Sequence, residues 1–201
     1  MLAALGTTDA TAGTVAFSST GSLPADQPFR PVNLGIVFTA DANFSVDALG
    51  FYFQADLTGP ETVGLYNSTA TLLTSATVLL SDPMVSGYLF QSIAPVALTA
   101  GDQYTVDAFV GDNDWSYGLT LPNQTADVVF DYPDATYGSS LEFPTVRATA
   151  SNGGPSGTYY GPNFEIAGAS PVPEPASLGL FATALALTGC LRHRKKGVSV
   201  A

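Results

Sequence analysis

Between Gln103 and Val110 the chain alternates in polarity with a period of two: Tyr104, Val106, Ala108 and Val110 fall on one side, Thr105, Asp107 and Phe109 on the other. Successive side chains of a β-strand point to opposite faces, so a row of this kind packs one side on a core as a strand. Thr62–Tyr66 alternates in the same way, and Ser45–Phe53 does so less cleanly. Turn chemistry separates these runs, at Thr58-Gly59-Pro60, Asn67-Ser68, Ser81-Asp82-Pro83, Ala100-Gly101-Asp102, Gly111-Asp112-Asn113-Asp114 and Leu121-Pro122-Asn123. The spacing predicts strands near residues 14–19, 34–40, 44–55, 61–67, 71–79, 87–97, 103–111, 126–131, 144–149 and 163–167. Short strands separated by turns at this rhythm indicate an all-β antiparallel sandwich. No body segment has a helical period, and no stretch repeats at fixed spacing as a solenoid would.

Composition agrees. Apolar residues make up 46% of the 201, enough for one domain with a real core. Only 11% are charged, against roughly a quarter in an average soluble protein, so Ser, Thr, Asn, Gln and Gly must supply the polar surface. The charge is also segregated. Up to residue 170 the cations are Arg30 and Arg147 alone, while every acid except Glu174 lies there. So acidic a body does not suit nucleic acid, whose phosphates need clustered Lys and Arg. The single cysteine, Cys190, and the single histidine, His193, both lie in the tail. The body therefore lacks an intrachain disulfide, Ser-His-Asp or Cys-His catalysis, and ordinary zinc or copper ligand sets.

Both ends read as export machinery. Met1–Gly6 is apolar, and Ala10-Thr11-Ala12 has the small-x-small form that precedes a signal-peptidase cut. Residues 1–12 are accordingly expected to be the remnant of a signal peptide, with a body over 13–167. After a linker over 168–175, Ala176–Leu191 is an uncharged run of 16 residues, ending at Arg192-His193-Arg194-Lys195-Lys196. As a helix this run measures about 24 Å, slightly short of a hydrocarbon core of about 30 Å. Flanking Arg and Lys can snorkel to make up the difference. The expectation is a single C-terminal transmembrane helix over 176–191. Arg192, Arg194, Lys195 and Lys196 would hold the basic tail, 192–201, in the cytoplasm and leave the body outside.

The proline-rich entry to this run, Val172-Pro173-Glu174-Pro175, together with the apolar stretch and the terminal basic cluster, resembles the PEP-CTERM sorting signal of Gram-negative bacteria. The resemblance covers Val172 to Lys196. It implies recognition by a membrane-embedded exosortase-type processing enzyme, removal of the anchor near Pro173-Glu174-Pro175, and delivery of the body to the cell surface or an exopolysaccharide-rich matrix. Glu174 would then be a recognition residue of a substrate. A second resemblance lies in the body. Leu49–Phe53, Val63–Asn67 and Ile93–Tyr104 are similar to a jelly-roll-like β-sandwich module of unknown function found in bacterial surface proteins. That implies a fold and assigns no ligand.

Within the body the most suggestive loop is Gly111–Gly118. Asp112, Asn113 and Asp114 offer oxygen ligands to a hard cation such as calcium, without the twelve-residue EF-hand pattern. Trp115 and Tyr117 offer flat faces to a sugar ring; the alternative is a polar turn whose aromatic residues pack on the core. Glu61, Glu142, Glu165 and the aspartates could supply a glycosidase pair, but chain spacing picks out none. The sequence thus predicts a non-enzymatic surface or matrix protein of structural or adhesive role. The alternatives are a calcium-assisted carbohydrate-binding module, with exopolysaccharide as partner, and a carboxylate glycosidase.

Overall fold

A computed structural model describes residues 13–18, 31–53, 57–111, 116–117, 123–147 and 159–168, all within one compact unit, Thr11–Gly168. The expected signal-peptide remnant, sorting motif, transmembrane helix and basic tail lie outside the described residues. Among the described residues no helix is long and apolar enough to cross a membrane.

The strands are β1 (Thr14–Val15), β2 (Phe17–Ser18), β3 (Val32–Ala40), β4 (Phe44–Tyr52), β5 (Glu61–Asn67), β6 (Leu72–Val78), β7 (Met84–Val85), β8 (Tyr88–Leu98), β9 (Gln103–Val110), β10 (Ser116–Tyr117), β11 (Asn123–Gln124), β12 (Val128–Tyr137), β13 (Val146–Arg147), β14 (Tyr159–Tyr160) and β15 (Pro162–Ile166). Six form one sheet in the order β13-β12-β3-β9-β5-β6, and five form another in the order β1-β15-β4-β8-β7. The pairs β10-β14 and β11-β2 stand apart. Every pairing is antiparallel. Neighbours in space are distant in sequence, with β3 between β9 and β12 and β4 between β8 and β15, in keeping with the expected all-β antiparallel body.

The alternation explains the core. Leu34, Ile36 and Phe38 of β3, Val63 and Leu65 of β5, and Val106, Ala108 and Val110 of β9 are buried on the inner face of the larger sheet. Val46, Leu49 and Phe51 of β4 and Phe164 of β15 meet them from the other sheet. Phe164 is fully buried at the centre of an aromatic cluster, 4.9 Å from Phe38, 5.8 Å from Phe17 and 6.2 Å from Phe44 between ring centroids. Asn163, also fully buried, joins β2 to β15: its Nδ2 donates to the Phe17 carbonyl (2.7 Å) and its Oδ1 accepts from the Phe17 N–H (3.2 Å).

Turns fall where the sequence signals them. The Asn67 side chain accepts from the N–H groups of Thr69 and Thr71, and Gly101, at φ 85°, turns β8 into β9. Several expected strands differ in extent: the one near 14–19 is two short strands, β1 and β2, that pair in different sheets, and the one over 44–55 ends at Tyr52. A strand near 126–131 runs on to Tyr137, because a β-bulge between Phe130 and Tyr132 admits Pro133 without ending the pairing to β3. The strand expected over 144–149 is described as a strand only at Val146–Arg147; residues 141–145 cross the sheet as irregular backbone, and 148–149 lie outside the described residues.

Candidate functional site

The face of β9 that carries Thr105 and Asp107 is not exposed. Asp107 is 0% exposed and Thr105 3%, because residues 138–145 fold back over the outer side of the larger sheet as a strap. Asn33, on the outward side of β3, pins it: Asn33 Nδ2 donates to the Ser140 carbonyl and Asn33 Oδ1 accepts from the Glu142 N–H, both at 3.0 Å. Further along, the Thr145 N–H donates to Thr136 Oγ1 (2.7 Å), and Phe143 meets Tyr66 edge-on at 5.5 Å.

Strand register sets the chemistry beneath the strap. Asp134 of β12 pairs with Gly35 of β3, Gly35 pairs with Asp107 of β9, and Asp107 pairs with Gly64 of β5. Paired residues share a face, so two carboxyls and two glycines form one row across the sheet. The glycines make room for what lies above them. A Cβ on residue 35 would collide with Asp134 Oδ1 and lie 2.7 Å from Pro144 Cγ; one on residue 64 would lie 2.9 Å from Leu141 Cδ2.

Asp107 and Asp134 are buried with little compensation. No described residue makes a hydrogen bond to either oxygen of Asp107 or to Oδ1 of Asp134. Burial pushes the Asp107 carboxyl well above the ordinary 3.8; the Asp134 charge adds to this, the nearby Ala108 N–H opposes it weakly from outside hydrogen-bond geometry, and Glu142 adds a little more. Asp134, 4% exposed, is raised by burial to about 7, its own backbone N–H opposing. Tyr66 is pushed up to about 12, by burial first and then by the charges of Asp107 and Glu142.

The strap stops short of covering the whole face, and a groove of about 460 Å³ opens beside it. Asp134, Thr105, Gln103, Tyr132, Phe143 and Arg147 line it. Asp131 Oδ2 accepts from both Thr39 Oγ1 and Gln103 Nε2 at 2.9 Å, which holds the Gln103 amide at the rim. Arg147 is the only Lys or Arg among the described residues. It stands opposite Asp134 in register, its guanidinium carbon 4.4 Å from the centre of the Tyr132 ring. Asp134 thus joins the groove to the buried Asp107. Among the described residues no three or more His, Cys, Asp or Glu side chains gather as a metal cage.

These are not the residues that the sequence singles out. Asp112, Asn113, Asp114 and Trp115 lie outside the described residues, as do Val172, Pro173, Glu174, Pro175, Arg192, Arg194, Lys195 and Lys196. The backbone of Tyr117 pairs with Tyr159 in β10-β14. Of the acids considered for a glycosidase, Glu61 is buried at the start of β5 and Glu165 sits on β15 in the other sheet; Glu142 is on the strap. Sequence reasoning missed the Asp107–Asp134 row. Its one local signal was glycine inside strand patterns, at Gly35 and Gly64, which marks close approach of another segment.

No curated protein and no solved structure matches the chain. Residues 171–195 match the PEP-CTERM protein-sorting motif, which implies export and membrane-associated sorting by an exosortase-type enzyme. Residues 12–153, more than half of the chain and all of the sheet that carries the strap and its buried acids, match the family described as a domain of unknown function, DUF4082, and the protein belongs to that family.

Proposed function

We propose that this protein is a non-enzymatic surface or matrix protein. Its signal peptide and C-terminal anchor direct export, the exosortase-type enzyme removes the tail, and the released sandwich acts in a structural or adhesive role. The observation that carries the reading is the sorting motif placed directly after the sandwich. The apolar side chains of Leu79, Leu80, Met84 and Val85, exposed along one turn and edge strand, support a contact role, since clustered exposed apolar residues favour association.

The test is fractionation of host cells with and without the enzyme. The reading expects the body outside the cell without residues 176–201 only when the enzyme is present, and membrane-bound otherwise. A surface form that retains 176–201 in an enzyme-positive host removes the sorting step. Unchanged attachment and matrix retention in cells lacking the protein removes the adhesive role, and cleavage of the host's exopolysaccharide by the purified protein removes the non-enzymatic one. The calcium-assisted carbohydrate-binding alternative depends on Asp112–Tyr117. It predicts exopolysaccharide binding that a chelator abolishes.

A further inference from the structure

We infer that Asp107 and Asp134 form the inner ligands of a hard divalent-cation site, roofed by the strap and completed by water from the groove. The inference concerns the folded body alone and does not depend on the sorting reading. It begins from the cost of the arrangement. A carboxylate removed from water is strongly disfavoured unless a cation or hydrogen-bond donors replace the water. Asp107 is 0% exposed, and neither of its oxygens has a hydrogen-bond partner among the described residues. The acids acting on it, Asp134 and Glu142, add negative charge.

One economical solution for paired acids is a shared proton, as in carboxyl dyads. A shared proton requires the carboxyls to touch, at about 2.5–2.7 Å between oxygens. Neither Asp107 oxygen has a hydrogen-bond donor among the described residues, so the pair must hold either a proton of its own or a cation, and the experiment below separates the two. Arg147, the one described cation, is engaged with the Tyr132 ring on the far side of Asp134.

A hard cation suits two buried acids on one row. It takes oxygen ligands and can bridge a pair of carboxylates. Magnesium in particular is often held by one or two carboxylates while keeping several waters. Among the described residues no cage of three or more such ligands occurs, so water would have to fill the remaining positions. The groove, which Asp134 lines, supplies the solvent side. The glycine row allows the geometry: with a side chain on residue 35, Asp134 could not lean over β3 toward Asp107. So few protein ligands predict an affinity of about 10⁻⁴–10⁻³ M, the range of extracellular calcium modules.

The experiment uses the full-length chain, stripped with chelator, and thermal unfolding in 10 mM magnesium or calcium chloride against sodium chloride of equal ionic strength. Wild type is expected to gain about 3–10 °C with one of the two cations. Asp107→Asn and Asp134→Asn keep the shape, remove the charge and should each abolish the gain. Neither is expected to unfold the protein, since each removes a buried charge while keeping the side-chain volume. A double variant, Asp112→Asn with Asp114→Asn, should keep the gain. Three results would overturn the inference: no gain in wild type, the same gain in both row variants, or a gain lost only in the 112/114 variant. The first, combined with stability that falls as pH rises, would mark the pair as holding protons instead.

Discussion

Adding one methyl group at residue 35 probes the strap, the buried acids and their register at once. In Gly35→Ala the new Cβ would lie 2.7 Å from Pro144 Cγ and would collide with Asp134 Oδ1, whereas real Cβ atoms essentially never approach closer than 3.0 Å. Asp134 can relieve its contact by turning its side chain. Pro144 cannot, because its ring is rigid and its backbone lies between the Asn33 and Thr136 attachments. To reach ordinary contact, 3.4 Å, the strap must move by 3.4 − 2.7 = 0.7 Å. Overpacking of this kind costs about 1–3 kcal/mol. Loss of a glycine's unfolded-state freedom returns about 0.4–1 kcal/mol, leaving a net destabilisation on the order of 1–2 kcal/mol. For a domain of this size that lowers Tm by about 2–8 °C. Urea unfolding followed by circular dichroism measures the energy, and the rate of tryptic cleavage after Arg147 measures strap seating. The double variant Gly35→Ala with Pro144→Ala should recover most of the loss. Gly64→Ala should cost less, since the ends of the flexible Leu141 and Leu72 side chains are among its nearest neighbours. If Gly35→Ala unfolds within about 0.5 kcal/mol of wild type and cleaves at the same rate, the strap does not rest on residue 35 and the account of the row fails.

Asn33→Leu removes both hydrogen bonds to the strap and should cost about 1–3 kcal/mol, with amide exchange over residues 138–145 accelerating far more than over β9; uniform acceleration would contradict the pinning role. Phe164→Ala opens a cavity among three aromatic rings and should destabilise by about 3–5 kcal/mol in denaturant titration; a loss below 1 kcal/mol would mean that the two sheets do not meet there. Burial raises Asp47 and Glu165 above their ordinary 3.8 and 4.5, with the Asp47 charge adding to Glu165. The folded state therefore holds their protons more tightly than the unfolded chain. Stability present below the ordinary values is lost as pH rises through the raised ones. Compared with wild type, Asp47→Asn with Glu165→Gln should show a shallower decline as pH increases past 4.5, and an identical decline would refute it.

Most of the sandwich was legible because its signals are local. The alternation over 103–110 names the side of β9 that faces the core, and Tyr104, Val106, Ala108 and Val110 are all buried there. The expected strands near 34–40, 61–67, 71–79 and 87–97 fall within two residues of β3, β5, β6 and β8 at each end. The full length of β12 was not legible, since proline ordinarily interrupts a ladder and only pairing geometry reveals a bulge that tolerates Pro133. The other side of β9 was not legible. Alternation distinguishes a core face from its opposite but does not say whether the opposite face meets water or another segment.

What the sequence by itself determined is what a few adjacent residues can encode: strand periodicity, turn positions, the acidic character of the body, and the PEP-CTERM motif at 171–195. The motif is a match over consecutive residues, so it is complete as a string. The candidate site was decided by tertiary structure alone. Asp107 and Asp134 belong to different strands and enter one row only because β3 lies between β9 and β12 and presents Gly35 to both. Their burial depends on a strap whose anchor, Asn33, is 107 and 109 positions away from its partners. Register and long-range closure of this kind arise from the packing of whole sheets, and no local pattern of residues carries them.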